Sequence, residues 1–236
     1  MGLKNYTWDK IFSLLIVPSL LETIKMLLIS GILATLIGFL IGVVLVGTRK
    51  DGLFPNRVVH QCLDLVVNVI RSFPFIILMI SIIPLTRLIV GTSIGDEAAI
   101  VPLTVAAAPF MGRIFQSSFQ EVDPALIEAA KSFGASKIQI IFKVMFVEAI
   151  PSIISGLSLS IINLLGATAM AGAIGAGGLG ATALQYGYQN FNEKIMYSIV
   201  VILIILVIFI QYFGDWLYKK IKIKTKEKRK HEKEKW

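Results

Sequence analysis

From Val200 to Ile210 the chain reads VVILIILVIFI, the centre of a charge-free run extending from Ile195 to Gly214. Two more charge-free runs exist, Met26 to Thr48 and Ala149 to Asn192, the second holding a span at about Ile150 to Met170. A helix of about 20 apolar residues crosses the roughly 30 Å of bilayer hydrocarbon. In that medium each backbone N–H and C=O must find its partner within the segment, which leaves helices as the way across. The composition agrees: 56% of the 236 residues are hydrophobic and 16% charged, more apolar surface than a soluble domain of this size buries. Two weaker segments complete the set. One is Leu65 to Ile83, which carries Arg71 and is interrupted by Pro74 and followed by Pro84. The other is Ala98 to about Phe119, with Pro102, Pro109 and Arg113. The expected fold is an all-α integral membrane protein with about five transmembrane helices. The apolar stretch Ile11 to Leu21 runs into Glu22 and Lys25 with no small-residue cleavage site, so it leads uncleaved into the first span.

Basic residues set the expected orientation. With the N-terminus outside, the inner segments collect 17 of the 23 Lys and Arg, ten of them between Lys219 and Lys235, and the outer segments hold Lys4, Lys10, Arg87 and Lys194. The positive-inside rule therefore selects N-out, C-in. It also accounts for the net charge of +8 without nucleic acid. The tail KKIKIKTKEKRKHEKEKW directly follows the last span and reads as a basic anchor touching anionic membrane lipid. Tyr212, Phe213, Trp216 and Tyr218 mark an aromatic belt there.

The run GAIGAGGLGATA contains Gly175, Gly177, Gly178 and Gly180, and its spacing fits the G-x-G-x-x-G of dinucleotide sites. That fingerprint needs a strand before it and a helix after it. Here it follows a span and lies on the expected outer face. Gly172 to Gly180 reads instead as a turn or short re-entrant piece beside a polar path, with close helix packing as the alternative role for its glycines. His60 and His231 have no metal-ligand spacing around them, and Cys62 is the single cysteine.

The longest inner loop is EVDPALIEAAKSFGASKIQIIFKVMFVEAIP, Glu121 to Pro151. Asp123 caps a helix whose first position is Pro124. The helix runs to about Phe133, where Gly134 suits the left-handed C′ position, and Ser136 with Gln139 forms a capping box that starts a second helix. Leu126, Ile127, Ala130 and Phe133 make an apolar stripe flanked by Glu128 and Lys131. Such a helix docks in a groove of a soluble partner or lies on lipid headgroups.

Glu128-Ala129-Ala130, Gly134 six residues after the glutamate, and the apolar stretch to Ile150-Pro151 resemble the EAA loop of permease subunits in binding-protein-dependent ABC importers of the type I fold. The likeness covers roughly Leu20 to Gln211. The segments Arg71 to Gly95, Ala98 to Phe110 and Gly172 to Tyr188 look most like methionine-importer permeases. Val147 departs from the pattern, since many relatives have proline there, so Pro151 alone would supply a kink. The resemblance implies a lead-in at 1–19, a permease domain at 20–211 and a basic tail at 212–236. It implies a homodimer in a bacterial cytoplasmic (inner) membrane, served by two ABC ATPase subunits and an extracytoplasmic substrate-binding protein. It assigns ATPase coupling to Glu128, Ala129, Ala130 and Gly134. Its translocation path would pass Thr168, Met170, Gly175, Gly177 and Gly178. No G-x-x-x-x-G-K-[ST] occurs in the chain, so if it pumps, the energy must come from another polypeptide. The resemblance implies that ATP and Mg are used by the partner ATPase and that this chain is a transport subunit, not itself an enzyme, with no cofactor of its own. The expected cargo is L- and/or D-methionine; the alternatives are another amino acid or small polar solute, or an ATP-independent channel. A membrane-embedded enzyme would need reactive groups at span depth, and the charges there, Arg71 and Arg113, have no obvious carboxylate partner in the sequence.

Overall fold

The computed structural model describes residues 8–233, with side chains from Asp9 to Lys222. Lys4, His231 and the tail lysines beyond residue 222 lie outside the described side chains. Regular structure among the described residues is helical throughout. Four stretches are long and apolar enough to cross a bilayer: Asp9–Thr48, Asp96–Gln120, Lys137–Gly172 and Glu193–Lys222. The first joins α1 (Trp8–Ile11) and α2 (Val17–Thr48) through a π turn at Phe12–Ile16, so the described part of the expected lead-in, from Trp8 to Ser19, is helical and continuous with the span, while residues 1–7 lie outside the described residues.

The fifth expected span is broken. Helix α3 (Arg57–Ser72) and helix α4 (Phe75–Ser81) meet at 108°. Pro74 lacks an N–H and pushes Phe73 out of the helical region, so the ladder stops there. A second break at Ile82 (φ −99°, ψ 12°) precedes α5 (Ile83–Val90), which has Pro84 in its first turn and ends at Gly91 with φ 85°. Counting the bent pair as one gives five spans. The remaining helices are α6 (Asp96–Gln120), α7 (Pro124–Ser132), α8 (Lys137–Gln139), α9 (Phe146–Gly172), α10 (Gly178–Thr182) and α11 (Glu193–Lys233). A π stretch at Ile140–Met145 joins α8 to α9, and α9 continues through Pro151.

Contacts divide the chain into two compact units, each built from three segments. One comprises Met1–Ala34, Ile70–Ala107 and Ile161–Ile208; the other Thr35–Val69, Ala108–Ser160 and Phe209–Trp236. In the second unit Gly38 and Gly42, spaced as G-x-x-x-G on α2, cross Gly112 of α6. A Cβ on Gly38 would lie 2.8 Å from Met111 Cβ and 3.0 Å from Ala108 O. Lipid competes equally well for apolar side chains, so close backbone approach supplies the van der Waals contact that holds such helices together. Phe39 fills the space beside the crossing, with ring centroids 5.4 Å from Phe115 and 5.5 Å from Phe146, both edge-to-face. Each such pair contributes about 0.5–1.5 kcal/mol beyond area burial. Ile140, Ile141, Met145 and Ile153 close this core.

In the first unit the core is Ile11, Leu179, Ile195 and Ile199. It brings α10 against α1 and the start of α11. Tyr212, Phe213 and Trp216 near the end of the last span are exposed and Tyr218 is half-buried: Phe213 and Trp216 stack at 6.0 Å, and Lys220 Nζ sits 4.7 Å from the Trp216 ring centroid. That arrangement places aliphatic stems and rings together with the charges at the end, as an interface requires.

Candidate functional site

Local chemistry builds the loop after α6 as the sequence leads one to expect. Asp123 Oδ1 accepts from Ala125 N at 2.9 Å, with Pro124 in the first helical position of α7. The helix ends with Ser132, and Phe133 is its C-cap. Gly134 takes φ 77°. Its N–H donates to Lys131 O at 2.9 Å, and Ala135 N donates to Ala130 O at 3.0 Å, so the last carbonyls of α7 are satisfied by the reversing chain. The capping box is complete: Gln139 N donates to Ser136 Oγ at 3.3 Å, and Ser136 N to Gln139 Oε1 at 2.8 Å.

The apolar stripe of α7 is divided. Ile127 and Ala130 pack on the unit's own core, whereas Leu126 is 38% and Phe133 90% exposed. Glu128 and Ala129 are exposed beside them. A helix seated by half its stripe and offering the other half has a fixed attitude, which a free surface helix lacks. A cavity of about 430 Å³ opens beneath it, with Arg49, Asp51, Glu128 and Lys131 at its charged edge and Phe119 and Met145 among its apolar walls.

The glycine segment lies in the first unit. It follows α9 and not a strand, so the dinucleotide geometry is absent. Gly175, Gly177 and Gly178 have φ of 98°, 81° and 75°, and the chain turns into the single-turn α10. Its forward N–H groups meet the protein's own acceptors: Gly178 N donates to Glu22 Oε2 at 2.6 Å, and Leu179 N to Thr23 Oγ1 at 2.9 Å. Gly95 N donates to Gly175 O at 2.9 Å. Thr168 is buried, its hydroxyl bonded to Leu165 O at 2.7 Å. Met170, by contrast, is half exposed.

Two pairings escaped sequence reasoning. Arg113, expected to lack a carboxylate, binds Asp64 of α3: Nη2 to Oδ1 is 2.6 Å. Its Nη2 also donates to Asn68 Oδ1 at 2.8 Å and its Nη1 to Gln116 Oε1 at 2.7 Å. Asp64 and Asn68 are four apart on one helical face and bonded to each other at 3.0 Å. Forty-nine residues separate the ionic partners, so proximity in sequence gives no hint. Glu22 is the second omission. A carboxylate at the edge of a long apolar run needs a named partner, and that rule was the signal available. Lys25, one turn further, is paired with Asp96 at 2.9 Å and Glu97 at 3.1 Å. His60, for its part, is bonded through Nδ1 to Leu45 O at 3.0 Å.

Long apolar helices with paired charges are those of an integral membrane protein, and its helix–turn–helix loop is held on a packed core with one face exposed. Residues 34–225 match the family described as the binding-protein-dependent transport system inner membrane component, and the chain belongs to that family. It is thus a permease subunit of an ABC transporter. The chain is 44% identical to the probable D-methionine transport system permease protein MetI of Vibrio cholerae, over 91% of this chain and 95% of the relative. It is likewise 44% identical to the methionine import system permease protein MetP of Bacillus subtilis, over 71% and 76%. Among solved structures, inward-facing conformations of the MetNI methionine ABC transporter superpose with a TM-score of 0.88 at 42% identity, covering 92% of this chain and 99% of that one.

Proposed function

We propose that the chain is the permease of an ATP-driven importer for methionine, L- and/or D-, in a bacterial inner membrane. Two copies form the path, two ABC ATPase subunits sit in the cytoplasm and an extracytoplasmic binding protein delivers the cargo. ATP and Mg are used by the ATPase, and this chain holds no cofactor. The permease domain is 20–211, preceded by the lead-in 1–19 and followed by the basic tail 212–236. The N-terminus is outside and the C-terminus inside.

The reading rests above all on likeness to the methionine transporter along nearly the whole of both chains. The two-sided attitude of α7 supports coupling: its inner face is anchored, while Leu126, Glu128, Ala129 and Phe133 stay free for the ATPase. Ala130 then serves from the anchored side, and Gly134 reverses the chain. Met170 and the turn at Gly175 to Gly178 belong beside the outer gate. Thr168 belongs there as well, buried within α9 with its hydroxyl donating to Leu165 O of the same helix.

Deleting the gene in cells whose other methionine systems are silenced should abolish uptake of labelled methionine. Unchanged uptake, with loss of a different amino acid, moves the assignment to that cargo. Purification of the chain without any ATPase, as an oligomer that conducts solute unaided, would support a channel and refute the importer.

A further inference from the structure

We propose that Glu22 is a positioning residue for transport, its carboxylate holding the turn from Gly172 to Gly180 against α2 so that the turn moves only with that helix. The proposal rests on the importer reading above. Helix α2 carries just two charges, Glu22 and Lys25, in 32 residues. Lys25 is held by Asp96 and Glu97. Glu22 is held by the backbone of the glycine turn, at 2.6 Å from Gly178 N. Glu22 is partly buried where the lead-in meets the charge-free run from Met26, and a carboxylate in apolar surroundings is costly unless such a donor meets it.

The fit of turn to helix is tight. A Cβ on Gly177 would stand 2.7 Å from Glu22 Oε2, and one on Gly178 would stand 2.7 Å from Thr23 Oγ1 and 2.9 Å from Met26 Cε. Both glycines also have positive φ. The glycines therefore serve approach to the helix, where a dinucleotide site would use them for approach to phosphate. Ser19, Glu22 and Thr23 lie on one helical face and close three successive contacts: Ser19 Oγ with Thr182 Oγ1 at 2.6 Å, then Gly178 N and Leu179 N. Only the contact to Glu22 is charge-assisted, and such bonds are about twice as strong as neutral ones. The turn's own backbone ties are neutral, Ile174 N to Ala171 O at 3.1 Å, Ala176 N to Ala171 O at 3.2 Å and Gly175 N to Gly172 O at 3.4 Å, with Gly95 N to Gly175 O at 2.9 Å from outside it. Loss of the Glu22 charge therefore removes the strongest single tie between the turn and α2 and eases its local opening.

The test uses the complete transporter, with permease, ATPase and binding protein, in vesicles. Glu22→Gln keeps the size and one acceptor oxygen and removes the charge. Substrate imported per ATP hydrolysed should fall about fivefold, the ratio that separates a charge-assisted from a neutral hydrogen bond. Thr23→Val should lower it less, in the same direction. A purely structural role predicts a lower Tm with import per ATP unchanged in both variants, and that result overturns the proposal. In a Cys62→Ser background, Ala176→Cys is buried at a 2% exposed position and should be labelled several-fold faster when Glu22→Gln is added. Equal labelling also overturns it. A wild-type complex that imports no methionine counts against the importer reading, and the labelling comparison still decides the role of Glu22.

Discussion

Gly134→Val isolates the backbone requirement of the reversal after α7. Nothing lies within 4 Å of the position a Cβ would take there. A side chain therefore meets no neighbour, and the whole penalty comes from φ 77°. Holding an L residue in the left-handed region costs about 1–2 kcal/mol, with Val at the upper end and Asn, whose short side chain bonds locally, near the lower. Leaving that region instead breaks the bonds from Gly134 N to Lys131 O and from Ala135 N to Ala130 O. Lys131 and Gly134 are exposed, so water replaces the first bond, and Ala130 and Ala135 are only partly buried at the edge of the core, so the relaxed form competes at roughly the cost of the strain. A penalty of that size moves the ratio of native to relaxed loop by about 5- to 30-fold. ATPase activity stimulated by loaded binding protein, measured in reconstituted vesicles, should fall steeply in Gly134→Val, less in Gly134→Ala and least in Gly134→Asn. Membrane insertion should be unchanged in all three, since the position lies outside the spans. Full stimulation and normal uptake in Gly134→Val would refute the coupling role.

Three further outcomes are expected. Glu128→Lys reverses an exposed charge on the free side of α7 and should weaken copurification with the ATPase; a helix lying on lipid predicts the opposite, because an added cation improves attraction to anionic headgroups. In a Cys62→Ser background, Ser93→Cys and Asn190→Cys should react with an impermeant reagent added outside, whereas labelling of Ser136→Cys from outside would invert the proposed orientation. Arg113→Met strands Asp64 and should destabilise the permease by about 2 kcal/mol, below the 3–5 of a fully buried pair because the two side chains are 22% and 36% exposed; Arg113→Met with Asp64→Leu should recover part of the loss, and strictly additive losses in thermal unfolding would dismiss the pair.

The chain's sequence by itself determined what depends on a few neighbouring residues. Asp123 before Pro124, Gly134 at the left-handed position and Ser136 with Gln139 each act within four residues, where backbone geometry fixes their distances in advance. The charge-free runs likewise marked three of the spans, because length and apolarity are properties of a segment alone. Pro74 marked a break for the same reason, although the 108° between α3 and α4 was not written in it. Long-range pairing was decided only by tertiary structure. A helix that is apolar on every side has no stripe to say which face turns inward. The 156 residues between Glu22 and Gly178, and the 49 between Asp64 and Arg113, became contacts only once packing had set the rotation of each helix. The division of the α7 stripe was decided in the same way: periodicity grouped Ile127 and Ala130 with Leu126 and Phe133, and the core beneath the helix took the first two and left the others exposed.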